Sequence, residues 1–383
     1  MKMDNVYVVA DNIFSPLGKT TKENYNALMQ GKSGVNKHSD FLGSASEVHA
    51  SLFDQEQLDH AEVPADFTRF EKILALSIQA ALVASDVDLQ DARTVLVISS
   101  TKGNINMLEE EQTPEHLRHT VALTTSARKI ADWFGHSGTP VIVSNACISG
   151  LAALLVGKRL IQAGIADHAV VAGADVITRF VQSGFESFQA LSPEVCRPFD
   201  KDRKGINLGE AAATIVLSNK AGNNNPPLRL AGGSITNDAN HLSGPSRTGE
   251  ELAIAIRKAL KEALVQPGEI GFVSAHGTAT LYNDEMEAKA ILLAGLTEVP
   301  VNSLKGYYGH TLGAAGLVES VITVSSMREN IIFPTYGFQH HGVSAPLHVV
   351  KHIEQAEISH ALKTASGFGG CNAALVFSKC INH

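Results

Sequence analysis

Several large classes of protein are excluded by what this 383-residue sequence lacks. Its four cysteines, Cys147, Cys196, Cys371 and Cys380, are widely spaced and form no CxxC pair, so neither a disulfide framework nor a cysteine zinc site is expected. The histidines are numerous, at sixteen, yet His340, His341, His348 and His352 match no HExxH or comparable ligand pattern, and no metal is expected. Basic charge is not in excess; a formal charge of −8 argues against a nucleic-acid partner. No run approaches about 18 apolar residues, and the opening residues carry no basic-then-apolar leader. These absences imply a cytoplasmic protein in a reducing compartment, with no membrane partner. With 44% hydrophobic and 18% charged residues, the chain can bury a large core across two or three structural units.

Apolar strands alternate with helical patterns along the chain. Val6–Val9, Thr94–Ile98, Val141–Val143, Ala169–Gly173 and Ala211–Leu217 read as strands. Between them, Thr21–Gln30, Arg69–Ala84, Glu109–Arg118 and Thr125–Phe134 read as helices, and 34–66 as irregular polar surface. A break at Ala221-Gly222-Asn223-Asn224-Asn225-Pro226-Pro227 is the clearest linker. Beyond it come strands Leu228–Gly232, Gly271–Ala275, Val299–Ser303, Ala361–Ala365 and Ala373–Phe377, with helices Glu250–Leu264, Glu285–Leu293 and Gly313–Glu329. This order predicts a layered α/β fold with a largely parallel sheet. Both halves close on similar apolar segments, which suggests a duplication into residues 1–222 and 223–383.

Chemistry centres on Cys147. A β-branched strand runs into Ser144-Asn145-Ala146-Cys147-Ile148-Ser149-Gly150, and an apolar helix follows. A cysteine at such a turn meets the unpaired amides of a helix N-terminus, which favour the thiolate and make the residue a candidate nucleophile. Three segments of the second half also end a strand in a polar or glycine-rich turn: His276-Gly277-Thr278-Ala279-Thr280, Lys305 to Gly316 around His310, and Gly367-Phe368-Gly369-Gly370. In open α/β sheets, sites are built at the carboxyl ends of strands. Two histidines there, beside a helix-leading cysteine, are harder to explain as packing than one would be.

Together these segments resemble the elongating β-ketoacyl-(acyl carrier protein) synthases, from about Val6 to Phe377. The resemblance implies a thiolase-like fold, two duplicated βαβαβαββ halves in a five-layered α-β-α-β-α body, as a homodimer without a cofactor. It implies Cys147, His276, His310, Lys305 and Glu319 as catalytic residues, and the amides of Cys147 and Phe368 as the oxyanion hole. Thr278, Thr280, Ile148 and Gly369 are implied at the substrate. Acyl and malonyl thioesters and an acyl carrier protein are the implied partners. Cys147 would accept an acyl group, and the enolate from decarboxylation of the malonyl thioester would then attack it in fatty-acid or polyketide elongation. His276 and His310, both neutral, would stabilise that enolate. Three departures bear on the pocket: Ile148 after the nucleophile, Cys371 after the glycine turn, and a shortened 102–139 segment. From them a pocket narrowed by Ile148 and extended into the neighbouring subunit is expected. A non-catalytic partner of a heterodimeric synthase is disfavoured by the retained Cys147, His276 and His310; an acyltransferase or thioesterase using the same acyl-cysteine remains the other alternative.

Overall fold

The computed structural model describes residues 5–380 apart from 40–41, 43–46, 60–62, 110–118, 223–225 and 241. All of the helix expected over 109–118 beyond Glu109, and the centre of the linker, therefore lie outside the described residues. Every residue of Ala211–Ser218 is buried, and period-two alternation explains why that strand is apolar throughout. Ala211, Ala213, Ile215 and Leu217 face one hydrophobic cluster, while Ala212 and Val216 face another. A sheet covered on both faces selects such runs.

The first half comprises β1 (Tyr7–Phe14), α1 (Arg69–Val83), β2 (Thr94–Ser99), α2 (Leu123–Trp133), β3 (Val141–Val143), α3 (Ser149–Gln162), β4 (His168–Asp175) and β5 (Ala211–Ser218). The second repeats the pattern with β6 (Leu228–Asn237), α4 (Glu250–Ala263), β7 (Phe272–Ser274), α5 (Leu281–Leu293), β8 (Pro300–Asn302), α6 (Ala315–Glu329), β9 (His360–Gly367) and β10 (Cys371–Lys379). Counted outward from the β1–β6 seam, the strands run β1-β5-β4-β2-β3 on one side and β6-β10-β9-β7-β8 on the other, with His348–Val349 beyond β8. The two orders are the same order, and the fold is the duplicated βαβαβαββ architecture. The sheet is mixed rather than largely parallel. The β2–β3, β2–β4, β7–β8 and β7–β9 pairs are parallel, whereas β4–β5, β9–β10, β1–β5 and β6–β10 are antiparallel. The β9–β10 pair is a tight hairpin, whereas β4 and β5 are joined by the longer 176–210 connection.

Helices supply the other layers. Phe70, Ile73, Leu74 and Ile78 of α1 cover the outer face of the first half-sheet, and Leu252, Ile256 and Leu260 of α4 cover that of the second. The start of α1 is closed by a capping box between Thr68 and Glu71. Between the half-sheets lie α3 and α6. All of α6 from Ala315 to Met327 is buried, so it shows no amphipathic stripe. The 34–66 region, expected to be irregular, instead contains paired strands Val35–His38 and Val48–Ser51, the second also joined to Leu208–Gly209. Their brevity hid the alternation that buries Val35, Val48 and Ala50. Among the described residues, no helix is long and apolar enough to cross a membrane.

Glycines set the approach of α3 to α6. A Cβ on Gly150 would stand 2.8 Å from the Leu317 nitrogen and 3.1 Å from the Gly313 oxygen, and one on Gly316 would stand 2.9 Å from the Leu151 nitrogen. Backbone cannot yield as a flexible side chain can. Gly150→Ala should therefore destabilise the protein by about 1–3 kcal/mol, read as a lower denaturant midpoint; an unchanged midpoint would show that the helices can part freely.

Candidate active site

The β3–α3 and β8–α6 connections are equivalent points of the two halves, and they carry Cys147 and His310 respectively. From β3 the chain turns through Ala146 at φ +45°, a left-handed conformation that is uncommon for a residue with a side chain. Ser149 pins this turn: its Oγ accepts from the Asn145 amide at 2.7 Å and donates to the Ala146 carbonyl at 2.6 Å. Ile148 is the N-cap of α3, so Cys147 precedes the helix by two positions. Gly367 is needed opposite, since a Cβ there would meet the Cys147 nitrogen at 2.9 Å.

Two imidazoles approach the thiol. His310 Nε2 lies 3.0 Å from Cys147 Sγ, and the His310 amide donates to the Asn207 carbonyl at 2.7 Å. His276 follows β7, with its amide and that of Gly277 donating to the Glu287 carboxylate at 2.8 and 2.7 Å. The Lys305 ammonium lies 3.4 Å from His276 Nδ1 and donates to the His276 carbonyl at 3.1 Å. A cation at Nδ1 leaves that nitrogen as acceptor and puts the ring proton on Nε2. The two rings meet edge to face, with centroids 5.4 Å apart. Lys305 in turn is hydrogen-bonded to Glu319 on α6. The sulfur and the two histidines present ligand atoms within 4.8 Å of one another, but the adjacent ammonium opposes a cation there.

Phe368 lies in the β9–β10 hairpin, and its amide hydrogen-bonds the Cys147 sulfur. Together with Cys147, both histidines, Thr278 and Thr280, it walls a cavity of about 460 Å³. The two threonine hydroxyls share a hydrogen bond of 2.8 Å. Two residues expected at the substrate are elsewhere. Ile148 is fully buried in the central core and does not wall the cavity, because its N-cap position turns it under the helix. The expected narrowing of the pocket by Ile148 is thereby corrected. Gly369, at φ +86°, stays outside the wall, its amide donating to the Leu242 carbonyl.

Burial dominates the electrostatics. It pushes the Cys147 thiol up to about 12, assisted by the nearby Cys371 and opposed by Lys305 and the Phe368 amide. The expected lowering by the helix end does not occur, since desolvation of a thiolate outweighs a dipole that begins two residues later. Burial, and then Lys305, holds both His276 and His310 well below the ordinary imidazole range. At rest the site is an uncharged thiol facing uncharged imidazoles.

Comparison with known proteins places the fold in a family. The model described as "Beta-ketoacyl synthase, N-terminal domain" matches residues 3–222, and "Beta-ketoacyl synthase, C-terminal domain" matches 229–339. The chain belongs to the β-ketoacyl synthase family. It is thus an acyltransferase of the condensing type. It is 30% identical over 423 aligned residues to a 3-oxoacyl-[acyl-carrier-protein] synthase 2 of Vibrio cholerae, covering 99% of this chain and 100% of that one. Among solved structures, the ishigamide ketosynthase/chain length factor is 26% identical at a TM-score of 0.89, over 99% of this chain and 100% of that one. A ketosynthase in complex with its chain length factor from Xenorhabdus doucetiae is also 26% identical, at a TM-score of 0.87 over 98% of each chain.

Several residues of this β-ketoacyl synthase site escaped the sequence reading. Phe185, on the unforeseen helix Arg179–Ser187, packs against both His310 and Phe368. Asp284 and Glu287 are one helical turn apart on α5 and hold the His276–Ala279 turn through its amides. Burial pushes Asp284 up to about 6. Two acids three residues apart, just after a histidine turn, were the available signal. With the resting thiol raised, alkylation of Cys147 by iodoacetamide should still be accelerating at about pH 9. A plateau below about pH 8 would show a thiolate already present at rest.

Proposed function

We propose that this chain catalyses decarboxylative Claisen condensation, extending an acyl group on Cys147 with the enolate of a malonyl thioester delivered by an acyl carrier protein. The observation that carries this reading is a thiol 3.0 Å from one imidazole with a second imidazole in the same cavity. Acyl transfer or hydrolysis requires one histidine at most; a second, held with Nε2–H forward, is suited to an oxyanion such as an enolate.

In loading, the Cys147 sulfur attacks the acyl thioester carbonyl, and the amides of Cys147 and Phe368 hold the resulting oxyanion. The carrier's thiol leaves with the proton that Cys147 gives up through His310. A malonyl thioester then binds, its carboxylate departs as carbon dioxide, and the electron pair passes to the thioester oxygen between His276 and His310. The enolate carbon attacks the acyl-cysteine carbonyl, the carbon–sulfur bond breaks, and the Cys147 thiolate takes up a proton. Thr278 and Thr280 are suited to the amide groups of the pantetheine arm, and Lys305 and Glu319 act through His276. The halves divide at residue 222. The edge of β3, unpaired among the described residues and beside the nucleophile turn, supports a homodimer paired along that strand. Likeness to ketosynthases solved with a chain length factor supports a heterodimer as the second reading of assembly. The mass of the native protein purified alone separates these: twice the chain mass is expected, and a monomer favours the heterodimer.

Cys147→Ala should fold and yield no acyl adduct by intact-mass spectrometry after incubation with acyl thioesters; an adduct would remove Cys147 from the nucleophile role. His310→Ala should lower malonyl-carrier decarboxylation on the order of 10²–10³-fold while leaving loading of Cys147 detectable. Equal collapse of both steps would recast His310 as the base for the thiol alone.

A further inference from the structure

Lys363 is among the fully buried charged residues that the mechanism leaves unused. It lies on β9, in parallel register with Ser274 at the end of β7. Its ammonium donates to the carbonyls of Ser274 at 3.0 Å, Ala275 at 3.3 Å and Thr364 at 2.6 Å, and stands 2.7 Å from Glu319 Oε2. Lys305 occupies the other oxygen of Glu319 and takes the carbonyl of His276. Two ammonium groups sharing one carboxylate thus hold three successive carbonyls, those of Ser274, Ala275 and His276. The next residue on β9, Thr364, donates at 2.6 Å to Glu287, the carboxylate that holds the His276 and Gly277 amides. β9 therefore braces His276 from both sides of its backbone.

We propose that Lys363 is a positioning residue for His276, anchoring the end of β7 and supplying a second positive charge that keeps the imidazole an uncharged Nε2–H donor. This rests on the condensing reading above. The charged and titratable groups around His276 and its turn are Lys305, Lys363, Glu319, Glu287, Asp284, His310 and Cys147. Burial disfavours an imidazolium most, followed by Lys305, His310 and Lys363, all in the same direction. Glu319 alone could not neutralise both ammonium groups, so the cluster keeps a positive bias toward the ring. Glu287 spends its oxygens on the two amides and the Thr364 hydroxyl, which fixes it on the backbone side of the turn.

Removing this charge makes the imidazolium less unfavourable, so His276 should protonate at higher pH. Lys363→Met in the full-length protein is expected to slow malonyl-carrier decarboxylation on the order of ten- to a hundredfold, as for groups that orient a histidine from behind. The acid limb of its pH–rate profile should move up by about one pH unit. Loading of Cys147 from an acyl thioester should change less than about twofold, since His276 takes no part in that step. Lys363→Gln, which keeps a donor but not the charge, should show the same shift of the acid limb with a smaller rate loss. A folded variant with native rate and native acid limb would reduce Lys363 to a structural ammonium and overturn the proposal. ¹⁵N-histidine NMR supplies a readout independent of rate: in either variant His276 should protonate at higher pH than in the native protein, and an unchanged titration, or failure of both variants to fold, overturns the proposal. Absence of malonyl decarboxylation in the native protein would overturn the condensing reading, while the NMR titration would still decide the role of Lys363.

Discussion

The close crossing of α3 and α6 is the contact on which the site depends. α3 follows β3 through a short turn and α6 follows β8 through a longer connection, and each connection carries one reactive group. If the helices stood apart by the width of an ordinary side chain, Cys147 and His310 would lose their 3.0 Å contact. Gly150 and Gly316 permit the approach because neither brings a Cβ to the other helix's backbone. The duplication gives the rest: equivalent connections in two equivalent halves are brought face to face about a central layer. Packing in that layer is close enough that displacement of one helix must displace the other.

Around this crossing, the protein buries charge sparingly and always in company. Lys305, Lys363 and Glu319 are all buried within one cluster, and the remaining donors of the ammonium groups go to backbone carbonyls. An isolated ion there would be strongly destabilising, whereas this set is paired and hydrogen-bonded. The reacting groups are treated in the opposite way. Cys147, His276 and His310 are dry and uncharged at rest, so hydrogen-bond donors face the position where an oxyanion can form without water competing. Charged groups sit behind the histidines and fix direction; neutral groups face the cavity.

The cavity itself joins parts of both halves. Phe185 comes from the first half and Phe368 from the second, and their rings meet 5.7 Å apart beside His310. Phe188 extends the same aromatic wall. This wall is built from two segments remote in sequence, and it meets the nucleophile turn through Gly367 and Phe368. The placement of Phe368 therefore combines an amide fixed on the sulfur with a ring whose neighbours are side chains.

Local pattern in the sequence determined which segments are strands and helices in both repeats, because apolar runs, the Thr68–Glu71 capping box and glycine turns act over a few residues. It also marked Cys147, His276, His310 and Phe368, whose turns stand out from the apolar strands before them. Short strands such as Val35–His38 and Val48–Ser51 were not legible, since four residues carry too little periodicity to separate a strand from a loop. Nor was the direction of Ile148, whose neighbours in sequence say nothing about which side of the α3 N-cap meets the core. The thiol illustrates the limit most plainly: the turn before a helix suggests a stabilised thiolate, but the balance is decided by how much water remains. Burial is a property of the whole packed assembly, and in the tertiary structure it raises Cys147 and lowers both histidines. Lys363 was invisible for the same reason, because only the parallel register of β9 on β7 sets its ammonium against the carbonyls before His276.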